Sequence, residues 1–155
     1  MNTPFRLRAS IIAVALIAFI FALLNGLRTL FIVVLVMGWD TIKDELQSEP
    51  QMAGLHRALT SVSSTVMTIF MVVLLAATVL ETLTGIGLLF RSKFMGRTVG
   101  TCFGVVALIA YYISAINVPR ELGGGFNIFS IVMLLLFPVL VLVLVNGSFR
   151  SILVR

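Results

Sequence analysis

Two ionisable side chains, Arg28 and Glu81, lie within long apolar runs of the sequence, LLNGLRTLF and TVLETLTG. A charged side chain at the centre of a membrane costs about 2.5–3.5 kcal/mol on insertion scales, so such residues usually face the protein interior and pair. Residues of this kind can bind an ion, relay a proton or hold two helices together. We therefore take Arg28 and Glu81 as the candidate functional residues.

The depths of these two side chains permit an ion pair. Arg28 precedes Trp39 by 11 residues, roughly 16 Å of helix. Glu81 precedes Arg91 by 10 residues, roughly 15 Å of helix. Because consecutive spans run antiparallel, both side chains fall near the middle of a hydrocarbon core about 30 Å thick. The sequence predicts an Arg28–Glu81 pair, with snorkelling of Arg28 towards the outer headgroups as the alternative.

Other polar residues lie on the same helix faces as the charged ones. Asn25 and Thr29 share a face with Arg28 by their spacing of three or four residues. Thr78, Thr82 and Gly85 share a face with Glu81. Such polar stripes either line a site or simply join helices through hydrogen bonds, and joining helices is the commoner role.

Composition determines the elements that must position these residues. Of the 155 residues 60% are hydrophobic and 11% are charged, whereas a soluble domain carries about 25% charged residues. Four segments are long and apolar enough to span a membrane, at residues 10–37, 65–90, 98–116 and 128–145. We expect one all-α membrane domain, 1–155, built as a bundle of four transmembrane helices.

The connection at residues 39–64 is the one long link between the predicted spans. It mixes apolar and polar residues, and pairs such as Leu55 and Leu59 share a helix face. We expect one or two short interfacial helices there, broken near Pro50.

Basic residues indicate the orientation of the chain. The side that carries both termini holds seven of them: Arg6, Arg8, Arg91, Lys93, Arg97, Arg150 and Arg155. The opposite side holds three: Lys43, Arg57 and Arg120. Because cytoplasmic segments are enriched in Lys and Arg, we expect both termini in the cytoplasm and residues 39–64 outside.

Glycines in the third predicted span indicate close helix packing. Gly96, Gly100 and Gly104 recur every four residues, a spacing that lets two helix backbones approach each other. Gly85 in the second span has the same role. This pattern does not distinguish contact within the chain from contact with another subunit. The single cysteine, Cys102, is expected to be a small buried apolar residue.

The sequence holds little that points to a cofactor or to nucleic acid. His56 is the only histidine, so the chain lacks the ligands of a zinc cluster or of a haem with two axial histidines. No nucleotide-binding fingerprint is present. The basic residues lie at the ends of apolar runs, where they contact lipid headgroups. We expect no cofactor and no metal, a lipid bilayer as surroundings, and no nucleic acid as partner.

The stretch VLETLTGIGLLFRSKFMGR, residues 79–97, resembles a pattern of the DoxX-like proteins. In that pattern a helix with a glutamate is followed by Gly-x-Gly, two leucines and a basic turn with an aromatic residue. The resemblance implies a small four-helix protein of the bacterial inner membrane. Some DoxX-like relatives also imply a quinone-linked redox role.

Three functions follow as hypotheses. The leading one is a non-enzymatic accessory or scaffold subunit, which associates with itself or with other membrane subunits through apolar helix faces. The second is a small transporter or channel-like protein in which Arg28 and Glu81 line a polar path. The third is the quinone-linked redox component that the resemblance implies.

Overall fold

The computed structural model describes residues 5–48, 52–122, 127–150 and 153. These residues are mostly helical, and four helices are long and apolar enough to cross a membrane. Their bounds are Ala9–Met37, Ser64–Leu89, Lys93–Asn117 and Ile128–Asn146. The predicted all-α bundle of four such helices is confirmed, and the fold is that of a multi-pass membrane protein.

Two long helices and two short ones form the first half of the chain. Helix α1 spans Phe5–Met37, and only Gly38 separates it from the short helix α2, Trp39–Gln47. A second short helix, α3, spans Ala53–Ser61. Helix α4 spans Ser64–Leu89.

The third span begins earlier than the apolar pattern predicts. A π-helical turn at Lys93–Val99 leads directly into α5, Gly100–Asn117. The basic link before the third span is thus largely helical, which the hydropathy of its residues does not indicate.

The fourth span contains a wide turn near its proline. It consists of α6 (Ile128–Ile131), a π-helical turn (Val132–Leu136) and α7 (Phe137–Asn146). Pro138 has no N–H to donate, and the π-helical turn that ends two residues before it changes the hydrogen-bond register of the helix there. The chain therefore stays helical through the proline.

The long helices close into a bundle in chain order. Helix α1 packs against α4, α4 against α5, and α5 against α7. The ring of Phe21 on α1 meets the ring of Phe137 on α7 edge to face, with centroids 4.8 Å apart. This contact joins the first and last helices and completes the bundle.

The predicted outer link forms a helical cap over one end of the bundle. Helices α2 and α3 pack against each other, and α3 packs against the turn Arg120–Leu122. Trp39 of α2 and Leu59 of α3 are the buried residues on the inner side of this cap, together with Ala58. The link thus contains two short helices, while the predicted break at Pro50 lies outside the described residues.

Two apolar cores fill the bundle, and polar residues lie between them. The cap-side core includes Ile32, Leu35, Leu59, Met67, Phe70, Leu74 and Leu122. The terminal-side core includes Ile11, Ala15, Ala18, Phe103, Val141, Phe149 and Leu153. Along α1, Asn25 falls between the residues of one core and those of the other. The buried side chains of Asn25 and Glu81 therefore lie at the level where the two cores meet.

Helix α4 ends in a turn that brings its last residues against the third span. Arg91 has a positive φ of 52°, the left-handed conformation that glycine adopts most easily. The Ser92 N–H bonds to the Gly87 carbonyl at 2.8 Å and the Arg91 N–H to the Leu88 carbonyl at 3.2 Å. This is the Schellman arrangement, with arginine at the position where glycine is usual.

The turn produces the closest backbone approach found among the glycines of the described residues. A Cβ added to Gly87 would overlap the backbone of Met95 and Gly96. We call this approach of Gly87 to Gly96 the glycine contact. It joins α4 to the start of the third span without any side chain between the backbones.

The remaining predicted glycines pack against side chains. A Cβ on Gly85 would lie 3.2 Å from the ring of Phe19, and one on Gly100 would lie 3.1 Å from Thr84 Cγ2. A Cβ on Gly104 would overlap the side chain of Leu142. The row at Gly96, Gly100 and Gly104 is therefore in contact within the chain.

Candidate intramembrane polar site

Three polar residues of α1 face the bundle over a little more than one helical turn. Asn25 is fully buried and Thr29 nearly so, while Arg28 is half-buried. The Thr29 hydroxyl donates to the carbonyl oxygen of Asn25 at 2.7 Å. The Thr29 hydroxyl is thus bonded to the backbone of its own helix. The side chains of Asn25 and Arg28 remain available for contacts with other helices.

The polar residues of α4 also include some that bond within their own helix and one that contacts another helix. The Thr78 hydroxyl donates to the Leu74 carbonyl and the Thr82 hydroxyl to the Thr78 carbonyl, both at 2.9 Å. These threonines bond within their own helix, as hydroxyls in transmembrane helices commonly do. Glu81 is fully buried, and it is the polar group of this stripe that reaches another helix.

The central contact of the site joins Asn25 to Glu81. The Asn25 Nδ2 atom donates a hydrogen bond of 2.9 Å to Glu81 Oε2, across the interface of α1 and α4. The two atoms left over, Asn25 Oδ1 and Glu81 Oε1, are buried and have no hydrogen-bond partner among the described residues. Both are acceptors, so the Asn25–Glu81 contact leaves one acceptor oxygen on each of its two side chains.

Arg28 reaches a different part of the bundle. Its Nη2 atom donates to the hydroxyl of Ser114 on α5 at 3.3 Å. Its guanidinium carbon lies 5.3 Å from the centroid of the Phe70 ring, within the range of a cation–π contact. Ser114 is fully buried and lies three residues before the end of α5 at Asn117. The guanidinium group is thus directed towards the capped end.

The arrangement changes the roles that the sequence suggested. Glu81 receives a hydrogen bond from Asn25, one helical turn before Arg28, and Arg28 donates a hydrogen bond to Ser114. The direct Arg28–Glu81 pair stays a prediction. Sequence reasoning placed Asn25 on the correct face but did not identify Phe70 and Ser114 as contacts of Arg28. We call the four residues Asn25, Arg28, Glu81 and Ser114 the polar layer.

The energetics of the polar layer differ from those of an apolar core. A buried polar group without a partner costs about 1–3 kcal/mol, and more if it is charged. The unpartnered oxygens of Asn25 and Glu81 therefore reduce the stability of the fold. A polar oxygen without a partner adds no hydrogen bond to the contact between two helices. The incomplete pairing favours a binding role.

Potential metal ligands and the cysteine were the other candidates for a functional site. Within the described residues, no group of three or more His, Cys, Asp or Glu side chains is placed to hold a metal ion. Cys102 is exposed, so its predicted burial is wrong. It lies on the outward face of α5, next to the buried Phe103, because only one side of that helix contacts its neighbours.

Comparison of the chain with protein-family models, curated proteins and solved structures finds no match.

Proposed function

We propose that this protein is a small transporter or channel-like protein that binds a small ion at Glu81 and Asn25 within the membrane. The observation that carries the proposal is the fully buried carboxyl group of Glu81, which has one partnered and one unpartnered oxygen. An ionisable group at this depth is costly to keep, and such groups usually mark a path for ions or protons.

The position of the polar layer supports the proposal. Glu81 lies 8 residues before the end of α4, roughly 12 Å along the helix axis. Arg28 and Ser114 continue the polar groups from this level towards the capped end, where α5 ends at Asn117. The polar layer therefore spans part of the depth of the bundle, from Glu81 to the region beneath α2 and α3.

Flux measurements test the proposal. The purified full-length protein is reconstituted in lipid vesicles, and proton and alkali-cation fluxes are followed with the vesicles under an imposed gradient. Wild type should exceed protein-free vesicles, and Glu81→Gln should fall to their level. Glu121→Gln is the matched control, because Glu121 is exposed in the turn Arg120–Leu122. Equal flux through wild type and Glu81→Gln would exclude Glu81 from any path.

A second candidate function is the accessory or scaffold subunit. It is supported by an apolar groove on the surface between α1 and α4, lined by Ala22 and Gly26 of α1 and Leu75 of α4 and bordered by Leu23, Leu27 and Leu30. Small residues one turn apart allow another transmembrane helix to approach closely. Extraction of the protein from its native membrane in mild detergent tests this function. Co-purification of other membrane subunits in fixed proportion would support it, and a particle of this chain alone in monomeric form would contradict it.

We also propose the bacterial inner membrane as location, with both termini cytoplasmic. The orientation rests on the excess of Lys and Arg on the terminal side, and the bacterial origin rests on the resemblance of residues 79–97. In a Cys102→Ser background, the variant Asp44→Cys, which changes an exposed position, should react with a membrane-impermeant maleimide in intact cells. Reaction only after cell lysis would contradict this orientation and place residue 44 in the cytoplasm.

A further inference from the structure

The two unpartnered oxygens of the Asn25–Glu81 contact belong to the groups that already share a hydrogen bond. Asn25 Oδ1 is attached to the same carbon as Nδ2, and Glu81 Oε1 to the same carbon as Oε2. A carboxamide and a carboxylic acid can face each other through two hydrogen bonds, N–H to O and O–H to O. The contact has the first of these bonds, and the atoms left over are those that form the second.

We infer that Asn25 and Glu81 form a proton-binding site in which one proton closes a ring between the carboxyl and carboxamide groups. The proton comes from the aqueous phase and forms an O–H bond on Glu81 Oε1. That hydroxyl donates to Asn25 Oδ1, while Glu81 Oε2 keeps its bond from Asn25 Nδ2. The carboxyl group becomes neutral, and nothing is oxidised or reduced. The inference rests on the proposed function, since it names the ion that Glu81 binds.

A proton fits the site better than a metal cation does. Hard divalent cations take about six or more oxygen ligands, whereas the site presents two unpartnered oxygens among the described residues. Thr29, Thr78 and Thr82 direct their hydroxyl hydrogens to backbone carbonyls, and Thr29 uses the carbonyl of Asn25 itself. One donor hydrogen satisfies both oxygens at once, and no further ligand is needed.

The titratable and charged groups around the site are few. On α1 the nearest is Arg28, which bonds to Ser114, and on α4 Glu81 is the only ionisable residue between Ser64 and Leu89. Helix α5 carries Tyr111 as well as the exposed Cys102 and Tyr112, and the turn before it carries Lys93 and Arg97. The segment Ile128–Asn146 carries no ionisable side chain. Protonation of Glu81 therefore depends mainly on its contact with Asn25 and on burial.

Infrared spectroscopy of the full-length protein in ester-free detergent tests the inference. A protonated carboxyl group gives a carbonyl band apart from the amide bands, and carbon-13 labelling of glutamate shifts the band of a glutamic acid. Wild type at neutral pH should show such a band, and Glu121→Gln should keep it. Glu81→Gln should lose it. Asn25→Leu should raise its frequency, because a carbonyl freed from its hydrogen bond vibrates faster.

The isotope shift in wild type keeps the test valid even if a variant does not fold. Absence of a glutamic-acid band in wild type would overturn the inference, as would its removal by sodium chloride at constant pH. The infrared and flux measurements together distinguish failure of the proton-binding site from failure of the proposed transport function. A band from Glu81 without Glu81-dependent flux contradicts the transport function alone. Glu81-dependent flux without the band contradicts the proton site alone.

Discussion

The glycine contact and the polar layer are both places where α4 meets a neighbouring helix, and they are built in opposite ways. At the glycine contact Gly87 and Gly96 bring two backbones together with no side chain between them. In the polar layer Asn25 and Glu81 leave two buried oxygens without partners. The first region maximises packing, which stabilises helix association in lipid. The second region lowers the stability of the fold, which is typical of sites that bind a ligand.

The largest effect is expected from Gly87→Ala. The added methyl group would overlap the backbone of Met95 and Gly96, which cannot rotate away as a side chain can. We expect the free energy of unfolding to fall by about 3 kcal/mol, the upper part of the range for overpacking. Unfolding in mixed micelles followed by circular dichroism measures it.

Gly54→Ala is the matched control for this substitution. Gly54 lies in the first turn of α3, and nothing lies within 4 Å of a Cβ placed there. The control should be neutral or stabilising by up to about 1 kcal/mol, since alanine favours a helix more than glycine. Equal stability of the two variants would mean that the glycine contact does not hold α4 against the third span.

The next effect concerns the polar layer. Asn25→Leu removes the hydrogen bond that Asn25 Nδ2 donates to the buried Glu81 carboxyl group, and we expect a loss of about 2 kcal/mol. The double variant Asn25→Leu with Glu81→Leu leaves no polar atom of the pair in the core. Its stability should equal or exceed that of wild type, because replacing both partners by apolar groups removes the desolvation cost.

The same unfolding measurement on the two single variants and the double variant completes this test. If the double variant is less stable than Asn25→Leu alone, then the polar pair stabilises the fold. The contrast with the glycine contact would then disappear.

A smaller effect of opposite sign is expected at Arg91. Its left-handed conformation costs a residue with a side chain about 1–2 kcal/mol and glycine almost nothing. Arg91→Gly should therefore stabilise the turn beside the glycine contact by about 1 kcal/mol. Arg91→Ala removes the same charge but keeps the conformational cost, so it should show no such gain. A gain shared by both variants would assign the effect to the charge.

The smallest effect is expected from Ser114→Ala. Hydrogen bonds between transmembrane helices are worth about 0.6 kcal/mol on average, and the bond from Arg28 is long at 3.3 Å. We expect a loss of this size in wild type and none in an Arg28→Ala background. A double-mutant cycle gives the coupling energy of the pair. An equal loss in both backgrounds would show that Ser114 acts independently of Arg28.

The sequence predicted most of the fold because a membrane span needs a long apolar run, and such a run is visible in one dimension. It also placed Asn25, Glu81 and the threonines on inward faces, since the helical period alone determines which residues share a face. The sequence did not determine how two neighbouring helices are aligned along their axes. Helix α1 has 33 residues, more than a simple span requires, so sequence alone leaves its depth open.

That unknown alignment explains the missed partners. A shift of one turn decides whether Asn25 or Arg28 meets Glu81, and packing across the whole α1–α4 interface determines it. The sequence predicted close packing at Gly96 but not its contact with Gly87, for a related reason. It depends on the left-handed Arg91, which reverses the chain direction after α4, and no propensity favours arginine at that position.

The short connection through Gly38 has a practical consequence for experiments. Trp39 is the single tryptophan of the chain, and it is buried at the point where α1 gives way to the helical cap. Its intrinsic fluorescence therefore originates from one defined place in the protein. A red shift of that emission would report undocking of the cap from the bundle, without any label attached to the chain.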